Sequence, residues 1–71
     1  GLVRDEAEAL KLFRIAANRG NAVGQFALGS MYANGNGGLT KDDAEAMKWF
    51  RLAASQGHEA ANKQLARRGV Q

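Results

Sequence analysis

The sequence predicts an all-α fold, an α/α solenoid of antiparallel helix pairs. Three observations carry this. Helix formers dominate a chain of 71 residues that contains no proline and no cysteine. Apolar residues recur at three- and four-residue spacing. The chain also says nearly the same thing twice, ALKLFRIAANRG at 9–20 and AMKWFRLAASQG at 46–57, with a period of 37 residues. A fixed period of roughly 20–50 residues marks a repeat architecture, in which one helix pair cannot bury its own apolar face and stacks on its neighbour.

Residues 1–20 align with 38–57 without a gap, and twelve of the twenty positions are identical. Leu10 with Met47, Ile15 with Leu52 and Arg4 with Lys41 are conservative.

The first element is a helix with an apolar stripe at Ala9, Leu10, Phe13, Ala16 and Ala17, widened by Leu12 and Ile15. Asp5 and Glu8 have capping-box spacing at its start, and Gly20 sits where a left-handed C-cap residue belongs. The second element is NAVGQFALGSMYANG, in which Phe26, Ala27, Leu28, Met31 and Tyr32 fit a helical period. Gly24 and Gly29 are poor choices on an exposed helix face, so a neighbouring helix is expected to cross close by. A glycine-dense turn follows over Gly35–Leu39.

The third element repeats the first stripe at Ala46, Met47, Phe50, Ala53 and Ala54, with Trp49 and Leu52 alongside. Asp42 with Glu45 forms its capping box, Thr40 with Asp43 is the alternative, and Gly57 closes it. The fourth is HEAANKQLARRG, closed by Gly69, whose Ala60, Ala61 and Leu65 occupy the frame of Val23, Gly24 and Leu28. The expected organisation is four helices, truncated at both ends. Residues 1–20 are the second helix of a partial repeat, 21–57 one complete repeat, and 58–71 the first helix of a following repeat, acting as a C-terminal cap.

ALGSMYANGNGGLTKDDAEAMKWFRLAASQG resembles a Sel-one-like repeat, a relative of the tetratricopeptide repeat. The landmarks are Leu28-Gly29, Tyr32, Gly35, Gly37, Asp42, Ala46, Trp49, Ala53-Ala54 and Gly57. Gly24 stands where the family usually has Ala, Gly38 is an extra loop residue, Leu39 replaces Val, and the first copy has Leu12 in the Trp position. The resemblance implies a superhelix like that of tetratricopeptide repeats. It also implies a segment of a longer repeat protein, in a family that spans bacterial surface, periplasmic and secreted proteins as well as eukaryotic adaptors, with periplasmic or secreted favoured over cytoplasmic; short alanine-rich repeats without cysteine lean toward a bacterial source. The opening at Gly1 rather than Met agrees with a fragment or a processed chain.

Composition narrows the function. With no cysteine there is no disulfide framework and no thiolate metal site. The longest apolar runs are too short to span a bilayer, so no membrane insertion is expected. Net charge is +3, but acids gather early in the first and third helices and bases follow, which suits the helix dipole. Nucleic acid is therefore not the expected partner. His58 is the only histidine and reads as an exposed residue at the start of the last helix. Ser30 and Ser55 have no base and orienting group nearby, and the carboxylates at 42, 43 and 45 are accounted for by capping. The Gly35–Gly38 turn lacks the Lys-Ser/Thr of a phosphate loop and no strand precedes it. Trp49 reads as a packing ring, with a ligand-stacking platform as the alternative. No catalytic residue, cofactor or metal site is expected.

A binding surface remains. Helical solenoids present a concave face to partners. The resemblance implies that this face is lined by the first helix of each pair, which places Val23, Phe26, Ser30, Ala33 and Asn34 outward on one and Ala60, Lys63, Arg67 and Val70 on the next. An aromatic ring beside basic side chains suits an acidic or C-terminal peptide. The alternative reading makes Phe26 core and Lys63 and Arg67 a solvated cap. The expected function is a non-catalytic protein–protein interaction module, an adaptor or scaffold segment. The alternatives are a structural cap without a partner of its own, whose open ends favour self-association, or part of a repeat protein assigned hydrolytic activity.

Overall fold

The four apolar stripes become four helices in the computed structural model, which describes residues 2–69: α1 (Leu2–Asn18), α2 (Ala22–Asn34), α3 (Asp43–Ala54) and α4 (Glu59–Arg67). Gly1, Val70 and Gln71 lie outside the described residues, including the outward position expected at Val70. Each helix packs on the next in chain order, α1 on α2, α2 on α3 and α3 on α4.

The two copies of the repeat end in the same way. After α1, Gly20 takes φ +88°; its N–H donates to the Ala17 carbonyl (3.0 Å) and the Asn21 N–H to that of Ala16 (3.1 Å). After α3, Gly57 takes φ +84°; its N–H reaches Ala54 (2.8 Å) and the His58 N–H reaches Ala53 (3.2 Å). This paired closure needs a left-handed residue, which glycine supplies without steric cost. The residue after each glycine then opens the next helix. Asn21 Oδ1 accepts from the Gly24 N–H at 2.8 Å, and His58 Nδ1 accepts from the Ala61 N–H at 3.2 Å. One residue finishes one helix and starts the next, so the turns are short and the angle between helices is fixed.

At the other helix starts the sequence expectations need correction. Asp42 is the N-cap of α3, its Oδ1 accepting from the Glu45 N–H at 3.1 Å. The reciprocal half of a capping box is not made, because the Asp42 N–H already donates to the Tyr32 carbonyl at 2.9 Å. Glu45 instead pairs with Lys48 at 3.1 Å, and Thr40 stays exposed outside the helix. Asp5 does not cap α1, because that helix begins at Leu2 and holds Asp5 in its first turn.

Helix α2 is covered from two sides, and its interior glycines mark the two crossings. A Cβ on Gly24 would lie 2.6 Å from the Ala16 Cβ and 2.8 Å from the Ala17 nitrogen of α1. A Cβ on Gly29 would lie 2.8 Å from the Phe50 ring and 3.1 Å from the Ala46 carbonyl of α3. Such approach lets backbones and rings pack at close density. Leu28, Ala46, Phe50, Ala53 and Ala61 are almost wholly buried, with Ala17, Met31 and Leu65 nearly so. Phe26, Tyr32, Ala33 and Ala54 pack around Ala46, Phe50 and Leu65.

The repeat provides its own control on burial. Ala46, Phe50 and Ala53 are buried in α3, which α2 and α4 flank, whereas their counterparts Ala9, Phe13 and Ala16 in α1 are half-buried. Leu12, the counterpart of half-buried Trp49, is 63% exposed. At these three positions α1 keeps more contact with solvent, whereas Ala17, at the α1–α2 crossing, is more buried than its counterpart Ala54.

Arg68 ties α4 back to α3. Its guanidinium lies 5.2 Å from the Phe50 ring centroid. It donates to Gln64 Oε1 at 2.7 Å and stands 3.5 Å from Asp43 Oδ1. The sequence reads Arg67 and Arg68 together as a polar end. In the structure Arg67 is exposed and Arg68 turns inward.

Candidate functional site

The six residues expected to meet a partner divide by burial. Val23 stands 61% exposed. Asn34 at the end of α2 is exposed, as are Lys63 and Arg67 on α4, and Ser30 is partly covered. Among the described residues neither Lys63 nor Arg67 takes part in an ion pair. Phe26 is different in kind. It is half-buried, its ring centroid lies 5.6 Å from that of Phe50, and it stacks on His58 at 4.9 Å with 27° between planes. Most of the Phe26 surface is thus committed to the junction of α2, α3 and the start of α4.

That junction determines which outward positions come together. Phe26 and Lys63 hold the same place in the 37-residue frame, as do Ser30 and Arg67. The ring stack sets the start of α4 beside the first half of α2. A second contact tightens the same corner. Gln25 is 5% exposed; its Oε1 accepts from Gln56 Nε2 at 3.0 Å, and the same nitrogen donates to the Gly20 carbonyl at 2.8 Å. A buried amide with partners is tolerated where an unpaired one is costly, so the pair holds the end of α3 against the α1–α2 turn.

His58 is not a free surface residue. It is half-buried, its Nδ1 is spent on the α4 cap and its ring on Phe26. The signal was in the alignment, where His58 matches Asn21, the residue that performs the same capping at the start of α2. Trp49 is half-buried with the Lys48 ammonium 5.3 Å from its ring centroid. Its Nε1 is buried and without a hydrogen-bond partner among the described residues. Tyr32 packs on the core cluster.

The carboxylates at 42, 43 and 45 have local roles. Asp42 caps α3, Asp43 faces Arg68, and Glu45 pairs with Lys48. Among the described residues no three His, Cys, Asp or Glu side chains gather as a metal site. No helix among them is long and apolar enough to cross a membrane. The groups this surface presents are an apolar side chain at Val23, an amide at Asn34, a hydroxyl at Ser30 and two cations on α4.

A family model described as the Sel1 repeat matches residues 1–21 and again residues 22–58. No match is found among curated proteins or among solved structures.

Proposed function

The chain belongs to the Sel1 repeat family, and from that premise we propose that it is an adaptor or scaffold segment which binds a protein partner along the α2–α4 side of its stack. Sel1 repeats generally mediate protein–protein interaction and are generally non-catalytic modules. The finer reading concerns this chain: the partner is an acidic peptide segment, and Val23, Ser30, Asn34, Lys63 and Arg67 meet it, with Phe26 offering the edge it keeps exposed.

The observation that carries the reading is the Phe26–His58 stack. It sets the start of α4 against the first half of α2, which supports reading the outward positions of the two helices as one surface. Without it, Lys63 and Arg67 would be two solvated cations. On this reading they flank an apolar and hydrogen-bonding strip of complementary character to an acidic chain.

The test is affinity capture compared between two forms of the chain. The parent should retain a specific protein. A Val23→Asp, Lys63→Glu, Arg67→Glu variant of equal helicity should lose it. Phe26 is left intact, because a charge there would disrupt the junction rather than report on the surface. Capture of the same protein by parent and variant alike would remove the α2–α4 side from consideration and favour a structural cap.

A further inference from the structure

The α1 and α3 surfaces carry a second recurrence that packing does not require. A shallow groove on α1 is lined by Ala7, Lys11, Arg14, Ile15 and Asn18, closed at one side by Leu10 and Gly37. A groove on α3 is lined by Ala44, Lys48, Arg51, Leu52 and Ser55. All five α3 positions are the 37-residue counterparts of the α1 set, in the same order. Their volumes are about 370 and 500 Å³. Each has an alanine floor, an aliphatic wall, a Lys-Arg pair and a small polar side chain at its end. Neither is lined by a carboxylate.

Buried positions recur because the packing recurs. Exposed positions are under no such demand, and Lys11, Arg14, Lys48 and Arg51 are all exposed. The lysines have a local use, pairing with Glu8 at 3.8 Å and Glu45 at 3.1 Å. The arginines have none among the described residues, where no ion pair includes Arg14 or Arg51. The helix dipole accounts for Arg51 in the last turn of α3, but the last turn of α1 holds no basic residue and Arg14 precedes it. The two arginines are therefore free charges beside apolar walls.

We propose that the outer side of α1 and α3 is a two-site docking surface for an extended acidic peptide. Each site takes one aliphatic side chain against Ile15 or Leu52 and the neighbouring carboxylate on Arg14 or Arg51. The spacing follows from the stack. Both helices pack on α2, and helices in contact lie about 8–10 Å apart, so the two axes are at most about 20 Å apart. An extended chain covers that distance in about six residues. The partner motif is a pair of aliphatic–carboxylate steps joined by a spacer of about six residues. This surface is distinct from the α2–α4 side, and either can fail without the other.

The experiment uses fluorescence anisotropy with the full chain and a labelled synthetic peptide carrying two Leu-Asp pairs joined by a Gly-Ser spacer. A one-pair peptide, vesicles containing phosphatidylserine and a single-stranded oligonucleotide serve as comparison probes. Linking two weak sites raises the effective concentration of the second, so the two-pair peptide should bind at least about tenfold more tightly than the one-pair peptide. Arg14→Glu and Arg51→Glu should each weaken it about fivefold, and together reduce it to the background. Arg14→Gln with Arg51→Gln should lie between, and helicity of every variant is checked by circular dichroism. The Val23→Asp, Lys63→Glu, Arg67→Glu variant should bind the peptide as the parent does. Equal binding of one-pair and two-pair peptides, or unchanged binding by the double Arg→Glu variant, overturns the proposal. So does binding lost only in the α2–α4 variant, or uptake of vesicles or oligonucleotide without uptake of peptide.

Discussion

Phe26 and His58 stack with their ring centroids 4.9 Å apart and their planes at 27°, and the same histidine caps α4 through Nδ1. One residue thus closes the turn after α3 through its backbone N–H, caps α4 through its ring nitrogen and docks on α2 through its ring face. The two roles separate by substitution. His58→Asn keeps a capping acceptor, as Asn21 does at the start of α2, and loses the stack. His58→Ala loses both.

The alanine variant should be destabilised by about 1–2 kcal/mol, with the asparagine variant recovering about 1 kcal/mol of that. Urea titration followed by helical circular dichroism measures both. Equal losses in the two variants would mean that the ring contact, rather than the cap, holds α4 in place.

The interior glycines of α2 make a prediction whose sign opposes helix propensity. Alanine is better than glycine in a helix interior by about 1 kcal/mol. At Gly24 a Cβ would meet backbone of α1, and at Gly29 the ring of Phe50, which is 1% exposed and has nowhere to move. Overpacking of this kind costs about 1–3 kcal/mol. Gly24→Ala and Gly29→Ala should therefore both lower the urea midpoint. A raised midpoint in either would show that the two helices can separate without loss.

The repeat register predicts unequal outcomes for equal substitutions. Phe50→Ala removes a fully buried ring and should cost about 3–5 kcal/mol, which is comparable to the whole stability of a domain this short. Phe13 occupies the same register in α1 but is half-buried. Phe13→Ala should leave a cooperative unfolding transition, and Phe50→Ala should abolish it. Similar transitions in both variants would show that the two copies contribute equally to the core.

The sequence made the helices legible because the stripe at Ala9, Phe13 and Ala16 returns at Ala46, Phe50 and Ala53, and period is the strongest local signal of structure. Helix starts were read less well. Asp5 matches Asp42 in the frame, yet α1 begins three residues before Asp5 and α3 begins one residue after Asp42. Identical residues do not fix a helix start when what precedes them differs, and the turn before Asp42 is held by the Tyr32 carbonyl. Among the site residues, exposure at Val23, Asn34, Lys63 and Arg67 followed from position on the helix. The commitment of Phe26 to His58 did not, because it depends on how α4 docks, and that is a tertiary relationship. Arg68 escaped for the same reason: a guanidinium with a long apolar stem can cover a ring as readily as face water.

Arg68 supports the last prediction, which asks whether charge or stem holds α4 on α3. The ion pair with Asp43 spans 3.5 Å, and the Asp43 side chain is 61% exposed. Exposed pairs of this sort contribute about 0.2–1 kcal/mol and weaken with salt. The stem and guanidinium over Phe50 act differently, since they shield the largest fully buried side chain of the core. Asp43→Asn should therefore shift stability by less than about 1 kcal/mol. Arg68→Ala should cost more than that, and Arg68→Met, which restores apolar cover without charge, should recover most of the loss. The cycle between Arg68→Met and Asp43→Asn isolates the pair itself. If methionine proves no better than alanine, and the loss is matched by Asp43→Asn and removed at high salt, then the ion pair and not the stem anchors the helix.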